Sequence, residues 1–515
     1  MNPNFDDFVS ADTTTLFLSP TGGKKAGFLL WGDGVRRLPG GAQNGRTNVR
    51  ARGRSGWVDT DALGGQSLLE FYYIDVGQGD GTLIKTPDFR HILIDGGYPR
   101  ESQPTRKSAA DFVDWKFARD YGSQAIALDA MIASHNDFDH YGGLADLLDA
   151  QQSEELDAAE ITVEAFYHAG LSWWQKPRPG GAPGFNGRWL GETAQTNGTT
   201  WLVQLLGDRA HAVSALAANA AEPLQGAWAD FIAKVVEAKT DSGSPTPITR
   251  LGRDPASIAA DQPLFLPGFS PAQGDVRIHV LAPIPHDVNG RPGLRRLTAE
   301  VSQNTNGHSI TLRIDYGRTR TLLTGDLNKR AQHALLEDYS GQRLAFKCDV
   351  AKACHHGSED VSFAFLQAME AAATIISSGD GEGHDHPRPR VVAASGATGH
   401  LTIEADEIQT PLVYSTELAR SVSLGDPFRL VLDPGAAAPE TLEGSRFEGG
   451  DIHFTVRKPG ALNPETKRRR MQSADVVAGL IYGLVNVRTD GERVLCATMN
   501  EGDGSFAVKT FRSRF

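Results

Sequence analysis

The chain has 515 residues, 40% of them hydrophobic, which is enough for two to four domains with a sizeable core. Its 63 acidic residues outnumber its 51 basic residues, and the resulting net charge of −12 argues against a protein that coats nucleic acid uniformly. A local basic groove is still compatible with this charge. The three cysteines are too few for a disulfide framework and include no close-spaced pair, so we expect buried free thiols.

The amino terminus predicts a protein that stays inside the cell. Residues 1–7 contain no basic segment followed by an apolar one, so no secretory signal is visible. The best apolar run, residues 476–485, is too short to cross a bilayer. We therefore expect a soluble, cytoplasmic protein with no membrane partner.

Residues 14–63 predict a small β module, because short β-prone runs alternate with glycine-rich turns. The segment from Val49 to Val58 resembles the last strands of bacterial SH3-like domains, and this resemblance implies a role in docking a protein partner. A basic cluster in the same region could meet an acidic partner or could be a solvated strand face. The cluster consists of Arg46, Arg50, Arg52 and Arg54.

Three predicted strands follow, and two of them end in glycine-rich turns that carry carboxylates. The strand from Leu69 to Val76 leads into Gly77-Gln78-Gly79-Asp80-Gly81, and a second strand begins at Thr82. The third strand, His91 to Ile94, ends in Asp95-Gly96-Gly97. This order predicts a sheet whose strand ends converge.

The densest chemical signal comes next, between a buried strand over 127–133 and an apolar helical pattern from Leu144. Four metal-competent side chains fall within six residues: His135, Asp137, Asp139 and His140. Such crowded groups repel one another or compete for protons unless a cation lies among them, and a pair of divalent ions is the usual solution. The alternative is a solvated acidic helix start, which leaves both histidines unexplained.

The segment from Ile161 to Trp189 predicts a strand that ends at His168, followed by a long loop. Trp173, Trp174 and Trp189 lie in this loop among prolines and glycines. The aromatic rings could form a wall over the metal site and stack bases, or they could pack onto their own domain. Residues 202–239 read as helical.

Later strands predict two further motifs. The pair over 309–316 and 320–323 delivers Thr324-Gly325-Asp326 to a strand end, where Asp326 becomes a metal-ligand candidate. A helix is expected from Asn328, and a strand then leads into Cys354-His355-His356-Gly357-Ser358. Because neighbouring strand residues point to opposite faces, we expect only one of the two histidines, His356, to face the site.

Together these motifs resemble the metallo-β-lactamase superfamily, and more narrowly the hydrolase domain attached to bacterial competence channels for DNA uptake. The segments that carry the resemblance are Asp75–Asp80, Ile94–Gly97, Ser134–Gly143, Leu322–Asp326 and His355–Ser358. The resemblance implies an α/β protein with an αββα sandwich and a dinuclear metal site at one edge. We expect an SH3-like module over 1–65, the hydrolase domain over 66–435 with an insertion around 170–270, and a β-rich extension over 436–515.

The resemblance also implies a set of metal ligands for two divalent ions, Zn²⁺ or Mn²⁺. Carried over residue by residue, the set is His135, Asp137, Asp139, His140, Asp326 and a histidine after Gly383, for which we choose His386 over His384. The carboxylate of Asp137 hardens the site and makes manganese a rival to zinc. Whether His308 or His168 is a further ligand stays open.

The implied activity is that of a metal-dependent hydrolase, a phosphodiesterase or nuclease acting on nucleic acid or a nucleotide through a metal-bridged hydroxide. Asp139 and His356 are the expected catalytic residues, and Asp80 and Ser358 are expected to bind the substrate. One alternative is hydrolysis of a small ester, lactone, thioester or β-lactam. Another is a binding or effector protein with a structural metal site, docked through its N-terminal module.

Overall fold

The computed structural model describes residues 3–103, 107–149, 156–176, 189–378, 386–416, 484–500 and 504–515, and short strands between 423 and 478. Within these residues the chain forms one small N-terminal sheet and two large sheets that face each other. We call the two large ones the first sheet and the second sheet.

The N-terminal sheet has six antiparallel strands within the described residues. In spatial order they are Asp7–Phe8, Gly34–Gln43, Arg46–Ala51, Arg54–Asp59, Thr13–Phe17 and Lys25–Leu30. Alternating residues such as Leu16, Val49 and Val58 fill a core of their own, as the strand period of two requires. A small β module is therefore present, while its SH3-like character stays a prediction.

The first sheet has nine strands in the described part of the chain. In spatial order they are Ile248–Arg250, Phe166–His168, Ala130–Ala133, His91–Ile94, Thr82–Lys85, Leu69–Tyr73, Val485–Thr489, Arg493–Met499 and Phe506–Arg512. The second sheet, counted over the same residues, has six. These are Arg277–Ala282, Thr311–Tyr316, Thr319–Leu323, Val350–Lys352, Ala373–Ile376 and Leu412–Ser415.

Apolar side chains from the facing sides of the two sheets form one continuous core. Phe71 and Ile132 of the first sheet belong to the same buried cluster as Ile278 and Leu312 of the second. The outer face of the first sheet packs against the helices Ala109–Asp114, Phe138–Leu147 and Gly226–Glu237. The outer face of the second packs against Lys329–Asp338 and Phe363–Met369. The layers are therefore helix, sheet, sheet, helix, which is the expected α/β sandwich.

The remaining helices and strands of the described residues do not belong to the two large sheets. Further helices are Trp115–Tyr121, Arg209–Leu216, Pro255–Ala259, Val301–Gly307 and Pro389–Thr398. A four-stranded sheet combines Thr193–Thr196, Thr199–Leu202, Arg291–Arg295 and His286–Val288. Strand pairs are Ala125–Leu128 with Glu160–Val163, Thr402–Glu404 with Glu407–Thr410, Ser423–Gly425 with Val476–Ala478, Arg429–Leu432 with Glu440–Glu443, and Ile452–Val456 with Lys467–Met471.

The C-terminal strands are integrated into the first sheet. Val485–Thr489 pairs antiparallel with Leu69–Tyr73, and the side chain of Asn486 donates a 2.9 Å hydrogen bond to the carbonyl of Phe71. The predicted domain limits stay predictions, but the part of the 436–515 extension from Val485 onward shares a sheet with the hydrolase domain. The sequence alone does not reveal this pairing, because the two strands lie 415 residues apart at that contact.

Buried charges join the N-terminal sheet to the sandwich. The guanidinium of Arg488 is fully buried, with Nη2 2.7 Å from Asp33 Oδ1 and 3.5 Å from Glu70 Oε2. Burial opposes ionisation of Glu70, but Arg488 and Lys85 outweigh it and hold the pKa of that carboxyl well below its usual range. Charges removed from water in this way need partners, and here both sides of the junction supply them.

The cysteines and the helix lengths bear on two predictions from the sequence. Cys348, Cys354 and Cys496 are buried free thiols, as expected, and burial raises the pKa of Cys496 to about 12. Among the described residues, no helix has the length and apolar character needed to span a membrane.

Candidate metal centre

The predicted motifs meet at one edge of the sandwich. Asp95 and His135 follow the neighbouring parallel strands His91–Ile94 and Ala130–Ala133. In the second sheet, Asp326 follows Thr319–Leu323, and the two histidines at 355 and 356 follow its parallel neighbour. Because parallel strands end at the same sheet edge, both sheets direct polar side chains to one point.

Two glycines permit the close approach of the turns. Gly79 has φ +111°, and a Cβ there would lie 1.9 Å from the carbonyl oxygen of Asp139. A Cβ on Gly143 would lie 2.0 Å from the carbonyl oxygen of Gly96. Only glycine fits at these contacts, so the glycine-rich motifs allow the first turn of the helix Phe138–Leu147 to pack directly on the strand ends.

Three buried histidines surround the carboxylate of Asp326. Its Oδ2 lies 2.8 Å from His356 Nε2 and 3.3 Å from His140 Nε2. His135, His140 and Asp326 each offer a ligand atom, and these atoms lie within 4.8 Å of one another. A second such group combines Asp139 with His140 and His356. The geometry therefore suits metal ligation.

Groups behind the histidines hold the rings in position. His140 Nδ1 donates to Asp95 Oδ2 at 2.9 Å. His135 Nδ1 lies 3.0 Å from Ser134 Oγ and 3.3 Å from Ser309 Oγ. A ligating histidine characteristically uses its other ring nitrogen in this way, which directs Nε2 to the metal.

His356 follows the same pattern. Its Nδ1 donates to the carbonyl of Ser377 at 3.2 Å and also lies 3.2 Å from Asp80 Oδ1. Among the described residues, none makes a well-aligned hydrogen bond to the buried Nε2 of His135, His140 or His356. Three inward nitrogens without such a partner, beside carboxylates, are the donor set that a divalent transition metal prefers, so these residues fit a metal ion.

The electrostatics of the centre favour a cation. Burial disfavours protonation of His140, but Asp326 and Asp95 outweigh it and raise its pKa well above the usual value. Burial likewise opposes protonation of His356, whereas Asp326 and Asp80 raise its pKa to about 9. The carboxylates are thus stabilised by positive charge among them, which protonated imidazoles or divalent ions can supply.

Asp137 and Asp139 are half-buried at the mouth of the centre. Asp137 Oδ2 accepts a 3.0 Å hydrogen bond from Thr305 Oγ1 and lies 3.9 Å from His135 Nε2. Although Asp137 is the N-cap residue of its helix, its side chain makes no capping hydrogen bond, contrary to the alternative of an acidic helix start. Asp139 Oδ2 accepts from Gln78 Nε2 at 3.2 Å and lies 3.9 Å from His356 Nε2.

A lysine, which the sequence-based interpretation did not single out, closes the inner end of the centre. Lys352 is buried, forms an ion pair with Asp80, and lies 3.6 Å from Asp326 Oδ1. Its ammonium also donates to the carbonyl of Gly325 at 2.9 Å. Asp80 therefore contacts Lys352 and His356 inside the centre, and its predicted role in substrate binding stays untested. In the sequence, the signal that could have identified Lys352 is a lysine among the apolar residues of the predicted strand that leads into Cys354.

The strand alternation from which we expect only His356 to face the site is absent, so the choice between His355 and His356 stays a prediction. Both residues lie in a tight turn with left-handed backbone, at φ +48° and +53°, rather than in a strand, so the alternation of strand faces does not apply. His356 is buried, and His355 Nε2 lies 3.9 Å from Asp326 Oδ2. His355 also contacts the side-chain amide of Asn306 at 3.2 Å.

The structure brings four of the six predicted ligands into the compact groups, namely His135, Asp139, His140 and Asp326. His386 lies farther out, with its ring centroid 6.1 Å from that of His355, and belongs to none of the groups found among the described residues. His384 lies outside the described residues. Ser358 is half-buried near the rim, where its Oγ accepts from the amide of Asp360 at 3.3 Å.

His168 and His308, the two histidines left open as further ligands, make hydrogen bonds to the backbone. His168 Nε2 donates to the carbonyl of Gly207 and its Nδ1 accepts from the amide of Gly170, both at 3.1 Å. His308 Nε2 donates to the carbonyl of Arg295 at 2.8 Å. Burial lowers the pKa of His308 to about 4. Neither residue appears in a metal-competent group within the described residues.

The tryptophans of the predicted aromatic loop pack onto the protein. Trp174 is fully buried, and its Nε1 donates to the carbonyl of Gln204 at 3.1 Å. Trp173 Nε1 donates to the carbonyl of Asn136 at 2.8 Å and so braces the turn that carries His135. Both rings belong to the core, which agrees with the alternative that the loop packs onto its own domain. Residues 177–188 of the loop lie outside the described part of the chain.

One family model matches part of the chain. Residues 74–217 match the family model described as the metallo-beta-lactamase superfamily, and this segment contains Asp80, Asp95 and the motif from His135 to His140. Over this segment the chain is similar to that superfamily. No curated protein matches the chain. The narrower resemblance to competence proteins stays a prediction.

Two solved structures are similar at low identity. The metallo-beta-lactamase fold protein YhfI from Bacillus subtilis is 13% identical, with a TM-score of 0.29, over 68% of this chain and 97% of that one. Tm1679, described as a metal-dependent hydrolase of the beta-lactamase superfamily, is 12% identical, with a TM-score of 0.29, over 68% of this chain and 96% of that one.

Proposed function

We propose that the chain is a metal-dependent hydrolase that cleaves phosphodiester bonds in nucleic acid or in a nucleotide. The observation that carries this proposal is the convergence of His135, His140 and His356, each with an inward Nε2 and a partnered Nδ1, on the carboxylate of Asp326. The family-model match over residues 74–217 supports the same class of enzyme.

The donor set indicates which ions and substrates suit the centre. The histidines, with Asp137, Asp139 and Asp326, would hold the two divalent ions, Zn²⁺ or Mn²⁺, that the resemblance implies. When bound, such ions activate water and neutralise charge on the reacting oxygens. Carboxylate oxygens favour hard ions, which are suited to phosphate oxygens, and this supports a phosphodiester over a neutral ester.

The residues at the mouth have their own tasks. Asp139 is half-buried and is held by Gln78, so its carboxylate can orient a water molecule and accept its proton. His355 borders the same space and is held by Asn306, which leaves it positioned to contact a substrate oxygen. Asp95, Ser134 and Ser377 stay behind the rings and fix their orientation.

The test is hydrolysis by the purified full chain, stripped of metal and reloaded with Mn²⁺ or Zn²⁺. Single-stranded DNA, RNA and cyclic dinucleotides are assayed beside a neutral ester, a lactone and a β-lactam. We expect turnover of a phosphodiester, and we expect Asp139→Asn to lower kcat by about 10² to 10⁴-fold. The exposed Asp61→Asn is the matched control and should keep full activity.

The outcomes separate two levels of the proposal. Cleavage of a neutral ester alone would keep a metal-dependent hydrolase and exclude the phosphodiesterase. No turnover of any substrate with either metal would exclude both.

A further inference from the structure

A second concave site lies on the outer face of the second sheet, away from the metal centre. Its volume is about 480 Å³, which is within the range of small-molecule sites. The floor consists of side chains that point outward from three neighbouring strands, because their sequence neighbours point into the core. These side chains are His279, Leu281, Arg313 and Arg320. We call this site the arginine cavity.

The walls of the arginine cavity combine apolar and cationic groups. Leu264 and Leu344 line it and are 38% and 72% exposed, so apolar surface is available to a ligand. Tyr339 contributes a ring whose hydroxyl donates to the carbonyl of Leu281 at 2.9 Å. Arg253 also lines the cavity, beside Tyr339, and is only 5% exposed.

The cationic charge of the cavity is only partly balanced. Arg313 pairs with Asp315, at 2.9 and 3.0 Å. Asp261 also lines the cavity, but among the described residues neither Arg253 nor Arg320 forms an ion pair with a side-chain carboxylate. The guanidinium of Arg320 lies 4.0 Å from the ring centroid of Phe515. Arg253 Nη2 donates to the carbonyl of Gln262, but within the described part of the chain its buried Nε has no hydrogen-bond partner.

A buried guanidinium with an unpartnered N–H group destabilises the folded protein unless an anion binds to it. Burial removes it from water, and neutral carbonyls replace only part of the lost solvation. Arg253 and Arg320 both border the same space, together with Arg313, so one ligand can meet more than one guanidinium. The planar fork of arginine matches phosphate oxygens. The fork of Arg313 is occupied by Asp315, so Arg253 and Arg320 are the residues that can offer donors to a phosphate.

We propose that the arginine cavity binds a small anionic molecule with a phosphate group on an apolar or aromatic body, as in a nucleoside monophosphate. The guanidinium groups of Arg253 and Arg320 bind the phosphate, and the exposed side chains of Leu264 and Leu344 contact the ring. The site is separate from the metal centre, because Arg320 lies near the start of Thr319–Leu323 and Asp326 follows the end of that strand. The proposal does not depend on the hydrolase function.

The experiment is isothermal titration of the full chain in EDTA, which prevents phosphate from binding through a metal at the other site. The probes are adenosine monophosphate, adenosine, inorganic phosphate and benzoate. We expect the monophosphate to bind more tightly than the other three, since only it has both features.

A pair of variants at the exposed rim shows where the probe binds. Both variants lose the apolar contact of Leu344, but only glutamate also repels the phosphate, so we expect the Kd for the monophosphate to be about tenfold higher in Leu344→Glu than in Leu344→Lys. Both changes lie on the surface and should leave the fold intact, which the melting temperature verifies. The proposal is overturned if the monophosphate does not bind, if adenosine, inorganic phosphate or benzoate binds as tightly, or if the two variants behave alike.

Discussion

Asp95 Oδ2 lies 2.9 Å from His140 Nδ1, so the carboxylate holds the imidazole from the side opposite Asp326. The other oxygen of Asp95 accepts a 2.7 Å hydrogen bond from the amide of Ser134, which fixes the carboxylate itself. The metal centre therefore has a second layer of support, built from a strand end that contributes no ligand in our predicted set.

We expect Asp95→Ala to lower the affinity for a divalent ion by about 10 to 100-fold, because His140 loses the group that orients it. Asp95→Asn, which keeps an acceptor oxygen, should lose less. Competition with a chromogenic chelator measures both affinities, and the exposed Asp88→Ala serves as control. Equal affinities for the parent and Asp95→Ala would show that the contact does not orient the ligand.

Metal removal should lower the melting temperature of the parent protein. An ion that binds the folded chain and not the unfolded chain stabilises the former by mass action. Asp326→Asn removes a carboxylate that lies near both His140 and His356, so its melting temperature should respond much less to added Mn²⁺ or to EDTA. Differential scanning calorimetry measures the shift, and the same shift in both proteins would contradict the assignment of Asp326.

Arg488→Met should destabilise the fold by about 3 to 5 kcal/mol, because Asp33 and Glu70 would remain buried without their shared cation. Arg37→Met is the contrasting variant. The side chain of Arg37 is 50% exposed and pairs with Asp7 at the surface, so its loss should cost at most about 1 kcal/mol. Urea unfolding at neutral pH compares the two, and equal costs would refute a stabilising junction.

His168 should make the protein sensitive to mild acid. Burial lowers its pKa to about 3, whereas an unfolded histidine titrates near 6.5. The unfolded chain therefore binds the extra proton first, and this contribution to stability is complete above about pH 6.5 and decreases as the pH falls toward 3.

The variant His168→Gln tests this linkage. The free energy of unfolding of the parent, relative to His168→Gln, should decrease by up to about 1.4 kcal/mol for each pH unit below 6.5. Urea titrations between pH 7.5 and 4.5 in EDTA measure the difference without a contribution from metal release. A difference that is constant with pH would show that His168 is protonated as easily in the folded protein.

The parts of the fold that local patterns determine were predictable. The strand pair around Gly317 was expected at 309–323 and is observed as Thr311–Tyr316 and Thr319–Leu323. The helix after Asn328 begins where its cap predicts, with Asn328 accepting from the amide of Ala331 at 3.1 Å. Apolar runs, turn glycines and caps act over a few residues, so a single sequence contains them in full.

Features that depend on unusual backbone or on distant partners were not predictable. His355 and His356 lie in a left-handed turn, so the alternation of strand faces does not apply to them. No local residue preference predicts this turn. The sequence shows Asp95 only as a carboxylate at a strand end, because its contact with His140 joins residues 45 apart. The same holds for Lys352, whose ion pair with Asp80 depends on the two sheets facing each other.

The place of Val485–Thr489 beside Leu69–Tyr73 has a consequence for biosynthesis. As the nascent chain leaves the ribosome, Leu69–Tyr73 can pair with Thr82–Lys85 at once, but its other edge stays open until more than 400 further residues have been translated. An open strand edge that carries mostly apolar side chains can pair with another polypeptide. Slow translation or chaperone protection of the emerging amino-terminal half should therefore determine the yield of native protein.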